Sequence, residues 1–350
     1  MQIERDAAEF LGGVRAGFTL GTPIAMRIAN LDWKNWQEIM DPAPRDGDPA
    51  PRKRAVTRAR PGHIDLSGML KYDRTDGRDL LERASARETA ARTAAGAICR
   101  RFLREFGISV ASHVTHLGGI DARRPDPLPA DLNATADRSP LRTLDAEAEA
   151  KMTAAIDAAK KEGNTLGGIV EVICDGLPVG LGSHVSWDTK LDARLAAAIM
   201  SIPAVKGVEI GPGFENARRT GAEVHDEITL APGRARTGNV QRRTNRAGGL
   251  EAGVTNGEPL IIHAAMKPIS TLMRPLATID LATGEPAQAV AERSDVTAVP
   301  AMGVIAEAMT AFVVAQAMLE KFGGDSLGET RRNYDGYLAH IAGRIGPAKR

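Results

Sequence analysis

The sequence predicts an α+β fold built on antiparallel sheets. Long blocks of helical periodicity alternate with short β-branched or alternating runs, and these runs often come in pairs joined by Gly/Pro turns. Paired strands with tight turns favour antiparallel sheets layered with helices over a strictly parallel, doubly wound sheet. The chain of 350 residues is 43% hydrophobic and 25% charged, which suits a globular protein with one large core or two domains.

Four stretches place apolar residues at helical spacing. The predicted helices run over residues 79–106, over 144–162, from Asp188 past Ile199, and over 304–322. Gly107 and Gly163 end the first two, and the Asp188 side chain is expected to cap the third. The last helix is the most apolar stretch, but it contains Glu307 and Gln316 and falls short of the ~20 residues that a membrane span needs.

The predicted strands are short runs rich in β-branched residues. They lie at residues 168–176, 205–210, 259–266 and 276–281. Residues 112–116, SHVTH, also read as a strand, from which His113 and His116 are expected to point the same way. Residues 164–169 and 245–250 share the form N-x-x-G-G-apolar ahead of a strand. This echo favours an internal pseudo-repeat, with a chance match in a glycine-rich chain as the alternative.

The charge balance gives no overall attraction to nucleic acid or to an anionic membrane. The chain has 45 basic and 44 acidic residues, a net charge of +1. Residues 41–61 form a predicted long loop rich in Pro, Arg and Asp. Its basic side chains are either a solvated face or one wall of an anion site, and no interleaved aromatic residue favours base stacking. These basic residues are Arg52, Lys53, Arg54, Arg58 and Arg60.

The cysteines and the N-terminal residues indicate a cytoplasmic protein. Cys99 and Cys174 make neither a disulfide framework nor a metal spacing, and both are predicted to be small buried side chains. The first residues, MQIERDAAEF, are too charged for a secretory signal.

Several familiar site signatures are missing from the sequence. There is no G-x-x-x-x-G-K-[ST] loop, and Gly211-Pro-Gly213 lacks the third glycine of a dinucleotide fingerprint because Asn216 stands there. No H-E-x-x-H, paired CxxC or G-x-S-x-G is present, so neither a zinc site nor a serine nucleophile is predicted. The expected metal content is none.

Arginines beside small polar residues are the strongest candidates for binding an anion, because guanidinium groups bind carboxylate and phosphate with two parallel hydrogen bonds. They are Arg60 near His63, Arg83 and Arg87 around Ser85, and Arg293 before Asp295. Arg83 and Arg87 are four residues apart, so they are expected to share one helix face. Residues 267–271, KPIST, add a lysine and two hydroxyls after a strand, where they could hold a phosphate. Solvated arginines and a structural His63 are the alternatives.

The remaining histidines carry weaker signals. His113 and His116 are predicted to have structural or exposed roles rather than to form a metal pair, and His263 is predicted to be packed within an apolar strand. His184 and His225 remain open between structural and functional roles.

Several motifs occur in the order in which one known family carries them. They are RPGHIDLSGMLKY, ERASARETAARTAAGAI, GNTLGGIVEV, GLGSHVSWDTKLDARLAAAIMSIPAVKGVEIG, TNRAGGLEAGVTNGEP, AAMKPISTL and ERSDVTAVPAMGVIAEAM. In these motifs the chain resembles chorismate synthase, from Met1 to about Tyr334. The resemblance implies a single domain over residues 1–335 with a tail over 336–350, and a β-α-β sandwich with helices between antiparallel sheets.

The resemblance also implies an activity. Enzymes of this family are carbon-oxygen lyases that convert 5-enolpyruvylshikimate 3-phosphate to chorismate by an anti 1,4-elimination of phosphate. This is the last step of the shikimate pathway, which leads to the aromatic amino acids. The reaction needs reduced FMN, with NADPH as a candidate reductant, and the usual assembly is a homotetramer.

Site residues follow from the same resemblance. It implies catalytic roles in proton transfer for His63 and Asp295, and substrate binding by Arg60, Arg87 and Arg293. In this reading Pro61 and Gly62 are expected to form a turn that projects His63 into the flavin pocket beside Arg60. The implied FMN contacts are Arg83, Ala84, Ser85, Pro203, Ala204, Ala252, Lys267, Pro268, Ile269, Ser270, Thr271 and Arg293. Pro203 and Ala252 depart from the family pattern, in which asparagine and glycine are common at these positions.

The sequence lacks two motifs with which the family begins. These are Gly-Glu-Ser-His-Gly, whose histidine is the other catalytic acid, and Gly-Arg-Gly-x-Arg-Met, whose arginines bind substrate or nucleotide; the chain is expected to start at the Met of the second. Two hypotheses follow. Either the start is placed too far downstream, or the chain is a catalytically impaired fragment or paralogue that retains oligomerisation and flavin binding.

Overall fold

The computed structural model describes residues 6–43, 54–292 and 294–345. Contacts within the chain define two compact units. Unit 1 comprises Met1–Ala91 and Ser270–Ser294, and unit 2 comprises Arg92–Ile269 and Asp295–Arg350. The two units are described separately.

Helices occupy both units. In the described part of the chain the α-helices are α1 (Asp65–Tyr72), α2 (Arg78–Ala84), α3 (Glu88–Arg104), α4 (Leu132–Ala136), α5 (Ala146–Glu162), α6 (Leu191–Met200), α7 (Gly213–Asn216), α8 (Gly221–Val224), α9 (Val299–Phe322) and α10 (Leu327–Ala342). Short 3-10 helices span Trp33–Asn35 and Ala235–Thr237.

The strands pair in antiparallel ladders. They are β1 (Ala8–Gly12), β2 (Val14–Arg15), β3 (Phe18–Thr19), β4 (Ala25–Ile28), β5 (Ser109–Leu117), β6 (Ile120–Asp121), β7 (Gly168–Asp175), β8 (Val205–Ile210), β9 (Ile228–Leu230), β10 (Val240–Arg242), β11 (Leu250–Glu251), β12 (Val254–Thr255), β13 (Leu260–Met266), β14 (Ala277–Ile279) and β15 (Pro286–Gln288). The predicted α+β class with antiparallel sheets is confirmed, and each of the four predicted strand runs contains a strand.

Unit 2 is organised around a five-stranded sheet in the order β6-β5-β7-β13-β8. The long apolar helix α9 packs on β5 and β7. The close approach of α9 to β5 depends on Gly303, where an added Cβ would lie 2.9 Å from Ser112 Oγ. The close approach of α3 to α9 depends on Gly96, where an added Cβ would lie 2.4 Å from Ala308 Cβ. The fully buried residues of this core include Leu103, Val170, Val172, Ile262 and Ala306.

Helix α9 alone, among the described helices, is long and apolar enough to cross a membrane, and 67% of its most apolar window is buried inside the protein. It begins at Val299, earlier than the predicted residue 304. Its only internal acid near the sheet, Glu307, is neutralised within unit 2 by Arg100 at 2.7 Å and Arg142 at 3.0 Å. The burial and this ion pairing are those expected of the central helix of a folded core.

Two helix predictions need correction. The helix predicted over residues 79–106 is two helices, α2 and α3, because Ser85 is extended and its Oγ accepts the N–H of Arg87 at 3.2 Å. Asp188 does not cap α6, which begins at Leu191 after Lys190, since the Asp188 carboxylate bonds Ser186 instead. Helix α10 crosses the boundary predicted between residues 335 and 336, so much of the predicted tail is helical.

His113 and His116 do share one face of the sheet, as predicted, because of an irregularity in β5. They are three residues apart and would point to opposite faces of a regular strand. The register shifts between Val114 and His116, so that His113 pairs with Glu171 and His116 with Ile169. The bulge therefore returns His116 to the face of His113.

Unit 1 is made of short elements around α1 and α2. The hairpins β1-β4, β2-β3 and β14-β15 are two-stranded. Val56 and Met69 are among its buried apolar residues. The predicted loop over residues 41–61 has one isolated bridge in its described part, between Arg58 and Asp280. Arg52 and Lys53 lie outside the described residues.

Candidate active site

A tight turn places His63 beside Arg60 in unit 1. Gly62 has a φ of +75°, which glycine adopts without steric cost, and the backbone N–H of His63 donates to the carbonyl of Arg60 at 3.2 Å. Helix α1 begins two residues later at Asp65. The predicted turn at Pro61 and Gly62 is therefore present and brings the histidine next to the arginine.

Arg60 is buried against the carboxylate of Asp65. Its Nε donates to Asp65 Oδ2 at 2.8 Å, and its Nη2 donates to Oδ1 at 3.1 Å. The backbone N–H of Arg60 adds a third bond to Oδ2 at 3.0 Å. Arg60 is 7% exposed and Asp65 is fully buried. Such a parallel pair of charge-assisted bonds fixes both side chains.

The ring of His63 uses the same carboxylate. His63 Nδ1 makes a close contact with Asp65 Oδ1 and lies 3.2 Å from Arg60 Nη2. An ionised carboxylate only accepts hydrogen bonds, so this contact is a hydrogen bond when Nδ1 is the protonated ring nitrogen and donates its N–H to Asp65. No residue in the described part of the chain bonds Nε2, and the side chain is 20% exposed.

The electrostatics keep Asp65 ionised. Burial raises the pKa of this carboxyl, but hydrogen bonds from His63 and Arg60 outweigh burial and hold the pKa well below its usual range. A cation and an imidazole N–H therefore face a permanent carboxylate near neutral pH.

Thr271 and Glu292 complete the surroundings of Arg60 within unit 1. Arg60 Nη1 donates to Thr271 Oγ1 at 2.9 Å and lies 3.9 Å from Glu292 Oε2. Glu292 is also paired with Arg78 at 2.7 Å. Thr271 is one of the predicted FMN contacts, and the structure brings it into direct contact with a predicted substrate arginine.

Arg83 and Arg87 do not share a helix face, which corrects the sequence-based expectation. The break at Ser85 separates them: Arg83 lies in the last turn of α2, and Arg87 precedes α3. Arg83 is exposed. Arg87 is partly buried and bonds Asp6 Oδ1 at 2.6 Å and the carbonyl of Ala29 at 2.8 Å.

In unit 2 the predicted FMN contacts of residues 203–204 and 267–269 lie together. The backbone N–H of Lys267 donates to the carbonyl of Ala204 at 2.9 Å, and Thr165 Oγ1 donates to the carbonyl of Ile269 at 2.6 Å. A cavity of about 400 Å³ is lined here by residues from 116–119, 165–169 and 265–268, Pro268 included. Burial, and then the nearby Lys206 cation, lower the pKa of Lys267.

The two predicted alanine contacts share an unusual backbone conformation. Ala204 has a φ of +67° and Ala252 a φ of +49°. Ala252 is exposed and forms, with Gly253, the turn between β11 and β12. Positive φ at a non-glycine residue is uncommon and often marks a functional constraint.

Three predicted site residues remain, Ser270, Arg293 and Asp295, and the structure describes two of them. Asp295 is exposed in unit 2, directly before Val296, whose carbonyl accepts the N–H of Leu166 at 2.8 Å. Arg293 lies outside the described residues, so its predicted role in binding FMN and substrate stays a prediction. Ser270 follows Ile269 in the chain and is partly buried.

Sequence reasoning missed Asp65 as the partner of His63. The available signal was the spacing His-x-Asp ahead of a helix. That spacing alone does not show whether the aspartate side chain bonds the histidine ring or backbone N–H groups of the turn. Sequence reasoning also missed the acidic neighbours of His263. The ring lies 3.3 Å from Glu171 and 3.5 Å from Glu209. His263 lies in the apolar strand β13, as predicted, but its side chain is only partly buried and its neighbours Glu171 and Glu209 are acidic.

The described ranges contain no group of three or more His, Cys, Asp or Glu side chains that could hold a metal ion. Cys174 is buried and Cys99 half-buried, and both are free thiols in this part of the chain. Burial raises the pKa of both thiols, so neither is an activated nucleophile.

Comparisons with known proteins agree across sequence and structure. The family model described as chorismate synthase matches residues 1–319. Curated chorismate synthases are similar over nearly the whole chain: that of Geobacter sulfurreducens is 56% identical over 344 residues, 97% of this chain and 87% of the relative. That of Acidothermus cellulolyticus is 58% identical over 344 residues, 97% of this chain and 86% of the relative. A solved structure described as "Crystal Structure of Chorismate Synthase" is 40% identical, with a TM-score of 0.76, and covers 96% of this chain and 85% of that chain. The chain belongs to the chorismate synthase family.

Proposed function

We propose that this chain catalyses the chorismate synthase reaction. In this reaction 5-enolpyruvylshikimate 3-phosphate loses phosphate by an anti 1,4-elimination and becomes chorismate, the last step of the shikimate pathway. The observation that carries the proposal is family membership over residues 1–319, with 56–58% identity to curated chorismate synthases. The ordered His63 in its turn supports a site for proton transfer.

Reduced FMN is the proposed cofactor, and the residues present suit such a group. Arg83 is exposed, and no described residue bonds its guanidinium, so it is available to an anionic ring or phosphate. Ser85 adds a hydroxyl in unit 1. Unit 2, taken by itself, offers the Lys267 cation and two positions of positive φ, Ala204 and Ala252. When bound, reduced FMN supplies an electron-rich ring that assists departure of the phosphate.

Binding of the substrate needs cations, because it carries two carboxylates and one phosphate. Arg60, Arg87 and Arg293 are proposed for this role. In the structure Arg60 is bonded to Asp65 and Arg87 to Asp6, so substrate anions have to use the donors that these carboxylates leave. Arg60 Nη1 keeps a second N–H besides its bond to Thr271.

Proton transfer is proposed for two side chains. His63 presents Nε2, the ring nitrogen without a bond to the described residues, while Nδ1 is held by Asp65. Asp295 has an exposed carboxylate and is the second proposed group. General acid–base catalysis by positioned groups of this kind typically contributes about 10²–10⁴ in rate.

The same proposal extends to assembly, reductant and location. We propose a homotetramer, a cytoplasmic location, and NADPH as a candidate reductant for the flavin. Large exposed apolar side chains on both units, including Phe18, Leu70, Trp187 and Phe214, support the formation of subunit contacts.

The test is an anaerobic assay with reduced FMN and 5-enolpyruvylshikimate 3-phosphate, following chorismate absorbance and phosphate release together. The Geobacter sulfurreducens relative serves as the positive control. We expect turnover, and we expect His63→Ala and Asp295→Ala to lower it by about 10²–10⁴. His184→Ala, in an exposed loop, is the matched control and should leave turnover unchanged.

The outcomes separate an active enzyme from a catalytically impaired family member. Wild-type turnover in either variant removes that residue from the mechanism. No turnover, with an active control, refutes the activity of this chain. If the inactive chain still binds reduced FMN, the alternative of a catalytically impaired family member that retains flavin binding is supported.

A further inference from the structure

Asp65 has no role in the function proposed above, yet both of its carboxylate oxygens are engaged within the described part of unit 1. It is fully buried, and its two oxygens accept from the backbone N–H, Nε and Nη2 of Arg60 and from the ring of His63. A carboxylate with this burial is stable only when its charge is neutralised and its lone pairs are bonded.

A structural ion pair is the simplest reading of Asp65, but it leaves one feature unexplained. Arg60 alone satisfies both oxygens with a bidentate contact, so the pair does not need the histidine. His63 nevertheless directs Nδ1 at Oδ1, and its side chain, whose Nε2 has no bond to the described residues, is 20% exposed. A carboxylate that bonds one ring nitrogen fixes the orientation and the tautomer of the other.

We propose that Asp65 is a positioning residue for His63. Its carboxylate, held in place by Arg60, accepts the proton of Nδ1 and thereby fixes Nε2 as the nitrogen that exchanges a proton with the bound ligand. Arg60 has a second task in this assignment, because it keeps Asp65 ionised and aligned. The inference rests on the proposed role of His63 in proton transfer.

The charged groups around the ring are accounted for within the described part of unit 1. Arg60 and Asp65 touch His63, Glu292 lies 3.9 Å from Arg60 Nη1, and Arg78 pairs with Glu292. Replacing Asp65 by asparagine removes the negative charge, and because the one amide oxygen is needed by the Arg60 donors, the amide N–H₂ can face His63 Nδ1 in place of Oδ1. Either change frees the imidazole to rotate or to adopt the other tautomer.

The first measurement reads the tautomer without any activity. In the full chain carrying ¹⁵N-labelled histidine, His63 is assigned as the signal that disappears in His63→Gln. We expect Nδ1 protonated in wild type, and a shift toward the Nε2–H tautomer or a mixture in Asp65→Asn. A wild-type Nε2–H tautomer, or an unchanged tautomer in Asp65→Asn, overturns the proposal even if the chain is an active enzyme.

The second measurement is a double-mutant cycle on turnover, with His63→Gln, Asp65→Asn and the double variant. If Asp65 acts through His63, Asp65→Asn lowers turnover by about 10²–10⁴. The double variant then loses no more than about twofold beyond His63→Gln. If the fold-loss of turnover in the double variant equals the product of the two single losses, Asp65 has a separate, structural effect, and the proposal is overturned.

Two further variants keep the test valid if Asp65→Asn folds poorly. Asp65→Glu keeps the charge and should restore the Nδ1–H signal and part of the turnover. Asp73→Asn is the matched control, because Asp73 is an exposed aspartate of unit 1 whose φ of 52° asparagine adopts readily. If the chain shows no turnover at all, the proposed function fails while the tautomer measurement still decides the role of Asp65.

Discussion

The turn between β11 and β12 has an alanine where glycine or asparagine is ordinarily preferred. Ala252 and Gly253 have φ values of +49° and +83°, the combination required by a type I′ turn. Alanine pays a steric cost of roughly 1 kcal/mol in this conformation. Because Ala252 is exposed, that cost is not offset by burial.

Removing the backbone strain at Ala252 gives the first prediction. Ala252→Asn should raise the free energy of unfolding by about 1 kcal/mol, since asparagine tolerates positive φ and Asn-Gly is the favoured pair in such turns. Urea unfolding measures the change as a shift of the midpoint, with the dependence of the unfolding free energy on urea concentration unchanged. Ala231→Gly, at a residue outside the positive-φ set, is the control and should lose about 0.5–1 kcal/mol. Equal stability of Ala252→Asn and wild type would show that the turn is unstrained.

At the residue scale, the sequence predicted the turn at Pro61 and Gly62 but not the carboxylate of Asp65. Gly62 carries a local signal, because glycine is the residue that adopts its φ at no cost. The bond between His63 and Asp65 depends on how tightly the chain folds back before α1. That geometry is set by Arg60, whose guanidinium is itself held by Thr271, 211 positions later in the chain.

At the scale of elements, helical periodicity predicted the existence of helices better than their ends. The break between α2 and α3 was missed because Ala84 and Arg87 are both good helix formers and the apolar spacing continues across Ser85. The Ser85 hydroxyl stops α2 by competing for backbone N–H groups, an effect that periodicity does not contain. Helix α5, in contrast, starts and ends where its capping residues are.

The cap of α5 gives the second prediction. Asp145 accepts from the backbone N–H groups of Arg123 at 2.9 Å, of Glu147 at 3.0 Å and of Ala148 at 3.3 Å. Asp145→Ala should therefore lower the free energy of unfolding by about 1 kcal/mol. Asp157→Ala, on the exposed face of the same helix, should be neutral and is the matched control. A loss of equal size in both variants would mean that the cap contributes nothing specific.

The loss in Asp145→Ala also has a pH dependence with a defined sign. Backbone hydrogen bonds, first from Arg123 and then from Ala148, lower the pKa of Asp145 below its ordinary 3.8. A lowered folded-state pKa contributes stability that is present above the unfolded pKa and is lost as pH falls through the folded pKa. The difference between wild type and Asp145→Ala should thus shrink on acidification below about pH 4, and a difference that grows there contradicts the capping role.

At the scale of the whole molecule, the order of strands places residues from distant parts of the sequence in one row. His113, Glu171, His263 and Glu209 stand on neighbouring strands β5, β7, β13 and β8 in direct register. Sequence periodicity predicted β7, β8 and β13 one by one, but not that β13 lies between β7 and β8. The alternating charges of the row follow from that order, which long-range packing decides.

Glu171 is the centre of this row and is 3% exposed. It accepts from His113 Nε2 at 2.9 Å and from Arg124 Nε at 2.9 Å. Burial raises its pKa, but the hydrogen bonds from His113 and His263 outweigh burial and leave the pKa lowered from its ordinary 4.5. The stability that Glu171 contributes is therefore present above about pH 4.5 and is lost as the pH falls through its folded value.

His263 imposes the opposite limit on the same sheet. Burial lowers its pKa, but the hydrogen bond and the charge of Glu171, with the charge of Glu209, leave the pKa raised above its ordinary 6.5. A raised pKa contributes stability that is complete below pH 6.5 and is lost as pH rises through the folded value. We therefore expect the stability of wild type to be greatest between about pH 4.5 and 6.5 as far as this row contributes.

His263→Gln should remove the alkaline decline and keep the acid one, because Glu171 retains His113 and Arg124. Free energies of unfolding from urea titrations between pH 4 and 9 measure both limbs. His225→Gln, an exposed histidine of the same unit, is the control and should follow the wild-type profile. If His263→Gln kept the full alkaline decline, the protonation of His263 would not be what couples this sheet to pH. The hydrogen bonds from Arg124 and His113 to Glu171 would then be the interactions of this row that stabilise the sheet.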